Sequence, residues 1–489
     1  MAVGDNVTAI ADGDRTREIL KERIRIYRND WEDLLDMELS KQFVTETWER
    51  IKLMLDTSQN IFRRIIRETC TVYKKKVVRE LIVPSSEGSA EPQEVPAYDA
   101  LLEQTDFDWK MAEAARLAKA AWVCFLRPRV LLAGEMRLDI ITPDCAHVDL
   151  NREDPLKMDG FGYRVVGVDK RKQHIECWVY YTADQIRYLD SAGREIENPF
   201  YDDFDTTNPY GVIPVVPYFC TAPTTEFWDL YWNKDAVRAN YIIGVLNTYI
   251  NYLVKTQSFK QVTFTGAISQ DVLSAISDPL YPFVLPEGST AATLDLNTQL
   301  EAIDSVIKGK VMAIANNYGI SSENFNVSGS LASGYSLKIA NRALEEIREA
   351  DKLVALKTEN ELFDLMRLIA NMDGLGPIPE NVELKWNPGE IAYPPSMAEE
   401  QSMWEFEFRN GISNQIDYLL DNDPEMSRED AMIVLERVKD ESAQLKPERS
   451  VLETMFGQEN TGNLRLPRYG FDADKDGRIG EGKNAGTQG

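Results

Sequence analysis

Two histidines in 489 residues leave little room for histidine-based chemistry. His147 and His174 both fall in short β-rich runs, where packing on a strand face accounts for them. Neither has a partner at metal-ligand or catalytic-triad spacing. Cysteine is scarce as well. Cys70, Cys124, Cys145, Cys177 and Cys220 are odd in number, widely spaced and never arranged as CxxC. That argues against a disulfide framework and predicts reduced, mostly buried thiols. Long apolar runs are missing. The most hydrophobic helical stretch, 241–254, is too short for a bilayer and carries Asn247 and Asn251, so no membrane span is expected. The opening MAVGDNVTAIADGD lacks a basic segment followed by an apolar one, so no secretory leader is expected either. Positive charge is the minority: 54 Lys and Arg face 80 Asp and Glu, for a net charge of −26. Generic electrostatic capture of nucleic acid is thereby disfavoured, though not a surface that nucleic acid slides past without sticking.

What is present is apolar material for more than one core, at 43% hydrophobic residues. The chain reads as α+β. From 15 to 55, Ile19, Leu20, Ile24, Tyr27, Trp31, Leu34 and Leu35 recur at helical spacing. Asp56-Thr57-Ser58 offers a cap for a second helix running through IFRRIIRETCTVYKKKVV. This helix carries a basic cluster of Arg63, Arg64, Arg67, Lys74, Lys75, Lys76 and Arg79. Such a run serves as a solvated face, an inter-subunit ion-pair partner, or a nucleic-acid or capsid contact. An Ala-rich helix is expected over 109–125, and the apolar period then changes to two. RLDIITP, HVDLN, GYRVVGVDK, HIECWVYYT and QIRYLD read as an antiparallel meander, closed by the proline-punctuated NPYGVIPVVPY.

The chain is organised around 224–372. An aromatic helix pattern opens it, and a short strand-and-turn knob follows. A second helix pattern leads to the Ser/Gly loop SSENFNVSGSLASG, and the longest helical run of the chain comes last. Beyond lie one strand (382–386) and an acidic helical region over 397–442. Ser413 and Ser427 are its expected N-caps, the latter with Asp430 three residues on.

Motifs for chemistry are weak. Gly329 and Gly334 have Walker A spacing, but Tyr335-Ser336 stands where the phosphate-binding lysine belongs. Gly160-Phe161-Gly162 begins a dinucleotide fingerprint and fails at Val165. Carboxylate pairs cannot be singled out among 80 acidic residues. No catalytic residue is named, and no enzyme is expected. One metal-like loop stands out. Asp472, Asp474 and Asp476 occupy positions 1, 3 and 5 of an EF-hand-type loop, with Gly477 at 6 and the Arg478 carbonyl at 7. Lys483 stands where the bidentate glutamate belongs, so a weak Ca²⁺ site and a merely acidic tail both remain open. A Ca²⁺-dependent structural or binding protein using 472–483 is the alternative reading of the chain.

Several pieces in order carry a family resemblance: SQNIFRRIIRETCTVYKKKVV, LDIITPDCAHVDLN, the hairpin GYRVVGVDKRKQHIECWVYYTADQIRYLDSAG, NPYGVIPVVPY, and SGYSLKIANRALEE. Over about 58–372 the chain resembles the portal proteins (head-to-tail connectors) of tailed bacteriophages, and both ends diverge. The resemblance implies a ring of about twelve subunits with a central DNA tunnel. It assigns 1–223 to an N-terminal wing, 224–258 and 296–320 to stem helices, 259–295 to a small α/β clip, and 321–334 to a tunnel loop. A long wing helix with its strand and loop takes 335–395, a helical crown 396–457, and a loose tail 458–489. Phe325, Val327, Ser328, Gly329, Ser330, Leu331 and Gly334 would face the DNA, with Lys255, Lys260, Lys308 and Lys310 as candidate tunnel charges. Those lysines are equally suited to pairing with carboxylates of adjacent subunits. The implied partners are the terminase large subunit, the head-to-tail adaptor, the major capsid protein and scaffold, and double-stranded DNA, with no membrane. The implied place is the portal vertex of a virion, with host cytoplasm during assembly. No cofactor is required.

Overall fold

The computed structural model describes residues 15–83, 91–200, 206–257, 262–265, 290–293, 300–321, 341–390, 397–422 and 426–445. The chain divides into two compact units, 1–395 and 396–489. Unit 1 mixes helices with antiparallel sheets, as the α+β reading expects.

Its helices begin with α1 (Arg15–Tyr27), α2 (Glu32–Ser40), α3 (Thr45–Ile51) and α4 (Ile61–Thr69). The cap of α4 is Asn60, whose side chain accepts from the Arg63 amide, rather than the 56–58 segment. The helix stops at Thr69, because KKKVVRELIV does not continue it. Val77–Val83 forms β1, the centre of a three-stranded sheet with β2 (Glu91–Pro92) and β13 (Glu383–Pro388). On one edge Val77–Ile82 pair with residues some three hundred positions away, and the nearby β2 pairs only with Ile82 and Val83, so little local pattern marks β1 as a strand.

Helices α5 (Pro96–Gln104) and α6 (Phe107–Ala121) follow. The helix expected over 109–125 ends early. Trp122 takes φ 76°, and Val123–Val130 becomes β3, paired on both edges by β4 (Met136–Ile141) and β10 (Val216–Phe219). RLDIITP therefore belongs to this second sheet and not to the meander. The meander proper is five-stranded in chain order: β5 (Ala146–Leu150), β6 (Met158–Val168), β7 (His174–Tyr181), β8 (Ile186–Leu189) and β9 (Glu195–Ile196). Hairpin geometry accounts for sequential strands pairing in sequential order.

Most of the buried side chains of unit 1 form one hydrophobic cluster, running from Leu20 through Val382. Trp31, Phe62, Phe125, Phe161 and Phe227 are its largest fully buried members. Helix α7 (Lys234–Gln257) docks across it. At Gly244 an added Cβ would lie 2.8 Å from Trp31 and 3.1 Å from Leu35, so this helix approaches α2 only because glycine stands there. Gly244→Leu is expected to lower the unfolding free energy by about 1–3 kcal/mol through overpacking, although leucine is the better helix former. Guanidinium unfolding of the variant beside the native chain checks this.

Unit 2 holds α10 (Met397–Asn410), α11 (Gln415–Asn422) and α12 (Arg428–Leu445), as the acidic helical reading expects. Ser427 caps α12, accepting from the Asp430 amide at 3.2 Å. The cap of α11 is Asn414, which accepts from the Ile416 amide at 2.8 Å, while its own amide donates to Asp417 at 2.9 Å. Ser413, the expected cap, donates to Glu407 instead, at 2.5 Å.

Candidate functional site

The central stretch is a helical hairpin. Helix α7 leads to β11 (Val262–Thr265), which pairs antiparallel with β12 (Thr290–Thr293), and α8 (Leu300–Asn317) returns. Helix α8 buries Ile307, Val311, Ile314 and Ala315. Beyond its end, the Tyr318 hydroxyl reaches back to the start of α7, donating to Asp235 at 2.6 Å. The chain then turns at Gly319, φ +65°, where a Cβ would come within 2.9 Å of Ala343 on α9 (Arg342–Met372).

The aromatic segment before α7 is not helical, contrary to the helix expected from 224. Arg23 donates to the Asp229 and Leu230 carbonyls, and the Trp122 indole donates to the Phe227 carbonyl at 2.8 Å. Asp229 accepts from the Tyr231 and Trp232 amides at 2.8 and 3.1 Å, closing a turn. Phe227 stacks among Phe125, Phe219 and Trp228. Tertiary anchoring of the aromatics wins over helix propensity here, and α7 begins only at Lys234.

The asparagines of α7, including the two that argue against a membrane span, have partners along the 54–62 segment. Asn240 accepts from the Phe62 amide at 3.2 Å, Asn247 donates to Gln59 at 3.2 Å, and Asn251 donates to Asp56 at 3.2 Å. Thr248 accepts from the Asp56 amide at 3.2 Å. One face of α7 is thus fixed to the N-terminal helices by polar contacts. No helix of the described residues is long and apolar enough to cross a membrane.

The outward face of α8 is a feature that the sequence reading missed. Ala302, Ser305, Val306, Gly309, Met312, Ala313 and Asn316 recur every three or four residues and are all exposed. A Cβ at Gly309 would meet nothing within 4 Å. This face carries no charge, in a chain that is 27% charged. The signal was available as helical periodicity of small and apolar residues, but it reads as a face only once the opposite one is known to be buried. The charges of α8 lie to its sides. Lys308 pairs with Asp304 of its own helix at 2.7 Å, and Lys310 is exposed. Lys255 is exposed in the last turn of α7. Lys260, the loop residues Phe325, Val327, Ser328, Gly329, Ser330, Leu331 and Gly334, and the metal-like Asp472, Asp474, Asp476 and Arg478 lie outside the described residues.

Long helix α9 is held against the rest of unit 1 by buried charges. Glu359, fully buried, accepts from Arg79 Nε at 2.6 Å, Arg79 Nη2 at 2.8 Å and the Tyr73 hydroxyl at 2.9 Å. Burial disfavours the Arg79 cation, but its bonds to Glu359 and Asp108 outweigh this, so its pKa is raised. Lys119 pairs with Asp351 and donates to the Thr69 carbonyl at 2.8 Å. Burial lifts the Asp351 carboxyl above its ordinary range despite Lys119 beside it.

Nucleophiles are quiet. Burial pushes the Cys70 thiol up to about 11, against the pull of Lys119, and the Cys177 thiol up to about 11. His147 Nε2 sits 3.1 Å from Asp149, which also accepts from the Tyr180 hydroxyl, while His174 is exposed at the start of β7. Among the described residues there is no group of three or more His, Cys, Asp or Glu suited to a metal ion.

Among solved structures, this chain is similar to a chain of the virion of a native gene transfer agent particle. Identity is 12%, 76% of this chain and 92% of that chain are covered, and the TM-score is 0.43. It is also similar to a chain from the neck of the empty particle, computed with C6 symmetry, at 13% identity, 76% and 92% coverage and TM-score 0.40. A chain from the neck of the native particle, computed with C12 symmetry, gives 13% identity, 75% and 91% coverage and TM-score 0.40. No protein-family model matches the chain. No curated protein matches it.

Proposed function

We propose that this chain is the subunit of a portal ring in a phage-like particle: a conduit through which double-stranded DNA is packaged, retained and released. The observation that carries the reading is the helical hairpin of α7 and α8, with a small strand pair at its far end and long helix α9 following. That order matches the stem, clip, stem and wing-helix order which the sequence resemblance implies. In this reading the β11–β12 end is the docking surface for the terminase motor and the head-to-tail adaptor. The capsid protein and scaffold surround the ring, and the protein acts at the portal vertex after assembly in host cytoplasm.

The chemistry suits holding and gating more than catalysis. A strongly acidic subunit repels a polyanion, so DNA in transit is not captured. The uncharged outward face of α8 offers no cation to a phosphate. The Ser/Gly segment around Gly329 and Gly334 would present apolar Phe325, Val327 and Leu331 to DNA on a permissive backbone. Deleting 325–331 is therefore expected to leave ring assembly intact and to lower the yield of filled particles by impairing packaging or retention of DNA. Packaging assays with assembled rings check this, and unchanged filling by the deletion variant contradicts the assigned role of the loop.

A further inference from the structure

A groove of about 990 Å³ opens on unit 1 between β1 and the α5–α6 corner. Of its apolar residues Val77 and Phe107 are buried, while Val78 is 49% accessible and Trp109 is 63% accessible. Its rim is acidic. Asp99, Glu103 and Asp106 are exposed there and form no ion pair with any described residue. Asp108 alone is engaged, with Arg79 at 2.5 Å, and Lys76 stands exposed at the same rim. Trp109, with the Lys110 ammonium 5.2 Å from its ring centroid, stands exposed beside these carboxylates, a composition that suits an interface anchor.

The complementary face lies on the same unit. Residues 61–79 carry seven Arg or Lys against the single Glu68, whereas residues 91–108 carry six Asp or Glu and no Arg or Lys. The two segments meet at Arg79–Asp108. Arg67 in the last turn of α4 and Lys75 before β1 are exposed and form no ion pair with any described residue. The two neighbouring segments thus carry opposite sign, with Asp99, Glu103 and Asp106 on one and Arg67 and Lys75 on the other forming no ion pair among the described residues.

We propose that the groove rimmed by Asp99, Glu103 and Asp106 receives the Arg67–Lys75 face of a second copy of this chain, covering Trp109. Where each copy offers its groove to one neighbour and its basic face to another, the contact is head-to-tail, and repetition closes a ring or extends a filament; a closed twofold dimer, in which both pairs form at once, would stop at two copies and contradict this arrangement. Closure into a ring rests on the portal reading; the contact itself does not. Opposite charge at the rim steers the encounter and weakens with salt, while the covered tryptophan supplies the apolar anchor.

Two charge-reversed full-length variants test this. Asp99→Lys/Glu103→Lys makes both faces basic, and Arg67→Glu/Lys75→Glu makes both acidic. Each alone is expected to raise the concentration for half-assembly roughly tenfold or more, the step that 1.4 kcal/mol produces. An equimolar mixture is expected to recover assembly as an alternating complex, read by sedimentation and native mass measurement, with unchanged circular dichroism and melting. Trp109→Ala leaves every charge in place, and is expected to weaken assembly by a similar factor. The proposal is overturned if either reversed variant assembles like the native chain, or if folded variants stay apart when mixed. It is also overturned if Arg67→Glu/Lys75→Glu loses DNA retention with assembly untouched, which would make the basic face a nucleic-acid contact. A native chain that stays monomeric at every concentration and salt rejects the ring reading together with this contact. A native ring indifferent to all three variants rejects this contact alone.

Discussion

Glu359→Leu is expected to lower the unfolding free energy by about 3–5 kcal/mol, because it leaves a buried guanidinium without its main counter-charge. The Glu359 side chain is fully buried and Arg79 is 4% exposed, so water cannot replace the lost partner. Asp108, which also contacts Arg79, is 51% exposed and only partly compensates. The Tyr73 hydroxyl, 2.9 Å from Glu359, loses its acceptor in the same step. The substitution thereby loosens the grip on α9, a helix of 31 residues spanning roughly 46 Å. The double variant Arg79→Met/Glu359→Leu is expected to recover much of the loss, since removing both charges removes the desolvation cost with them. A double-mutant cycle by guanidinium unfolding checks this; a single-variant loss below about 1 kcal/mol would show that the site tolerates an unpaired charge.

Trp31→Ala is expected to cost about 3–5 kcal/mol, as large aromatic truncations in a closed core do. Trp31 is fully buried, meets Tyr241 edge-on at 6.1 Å, and fills the space that Gly244 leaves on α7. Its indole nitrogen has no hydrogen-bond partner among the described residues. Trp31→Phe therefore gives up volume but no polar contact, and its loss is expected to be clearly smaller. Equal losses for alanine and phenylalanine would mean that the pocket does not depend on filling.

Legibility of the fold followed how local each element is. Strands β5 to β8 of the meander showed in the sequence, because each pairs with the next and alternates apolar residues at period two, whereas the two-residue β9 was not read. Strand β1 did not, because its partner β13 is contributed from the far side of α9. The 224–233 segment misled in another way. Its Phe227, Trp228 and Trp232 have the density of a helix face, yet their rings are fixed by Phe125 and Trp122, neither adjacent in sequence. The basic cluster was visible, but the burial of Arg79 against Glu359 needed a contact across 280 positions. Of the candidate site, the helical hairpin was readable from apolar periodicity, while the uncharged face of α8 depends on which side of it packs. The family resemblance supplied an order of elements that no composition argument reaches.

The proposed portal role requires a ring with a hole. Negative-stain electron microscopy of the purified full-length chain, with native mass measurement on the same sample, tests this most directly. Closed rings of about twelve subunits around a central channel are the expected result, by the family resemblance. A population of monomers or small dimers at every salt concentration would contradict it.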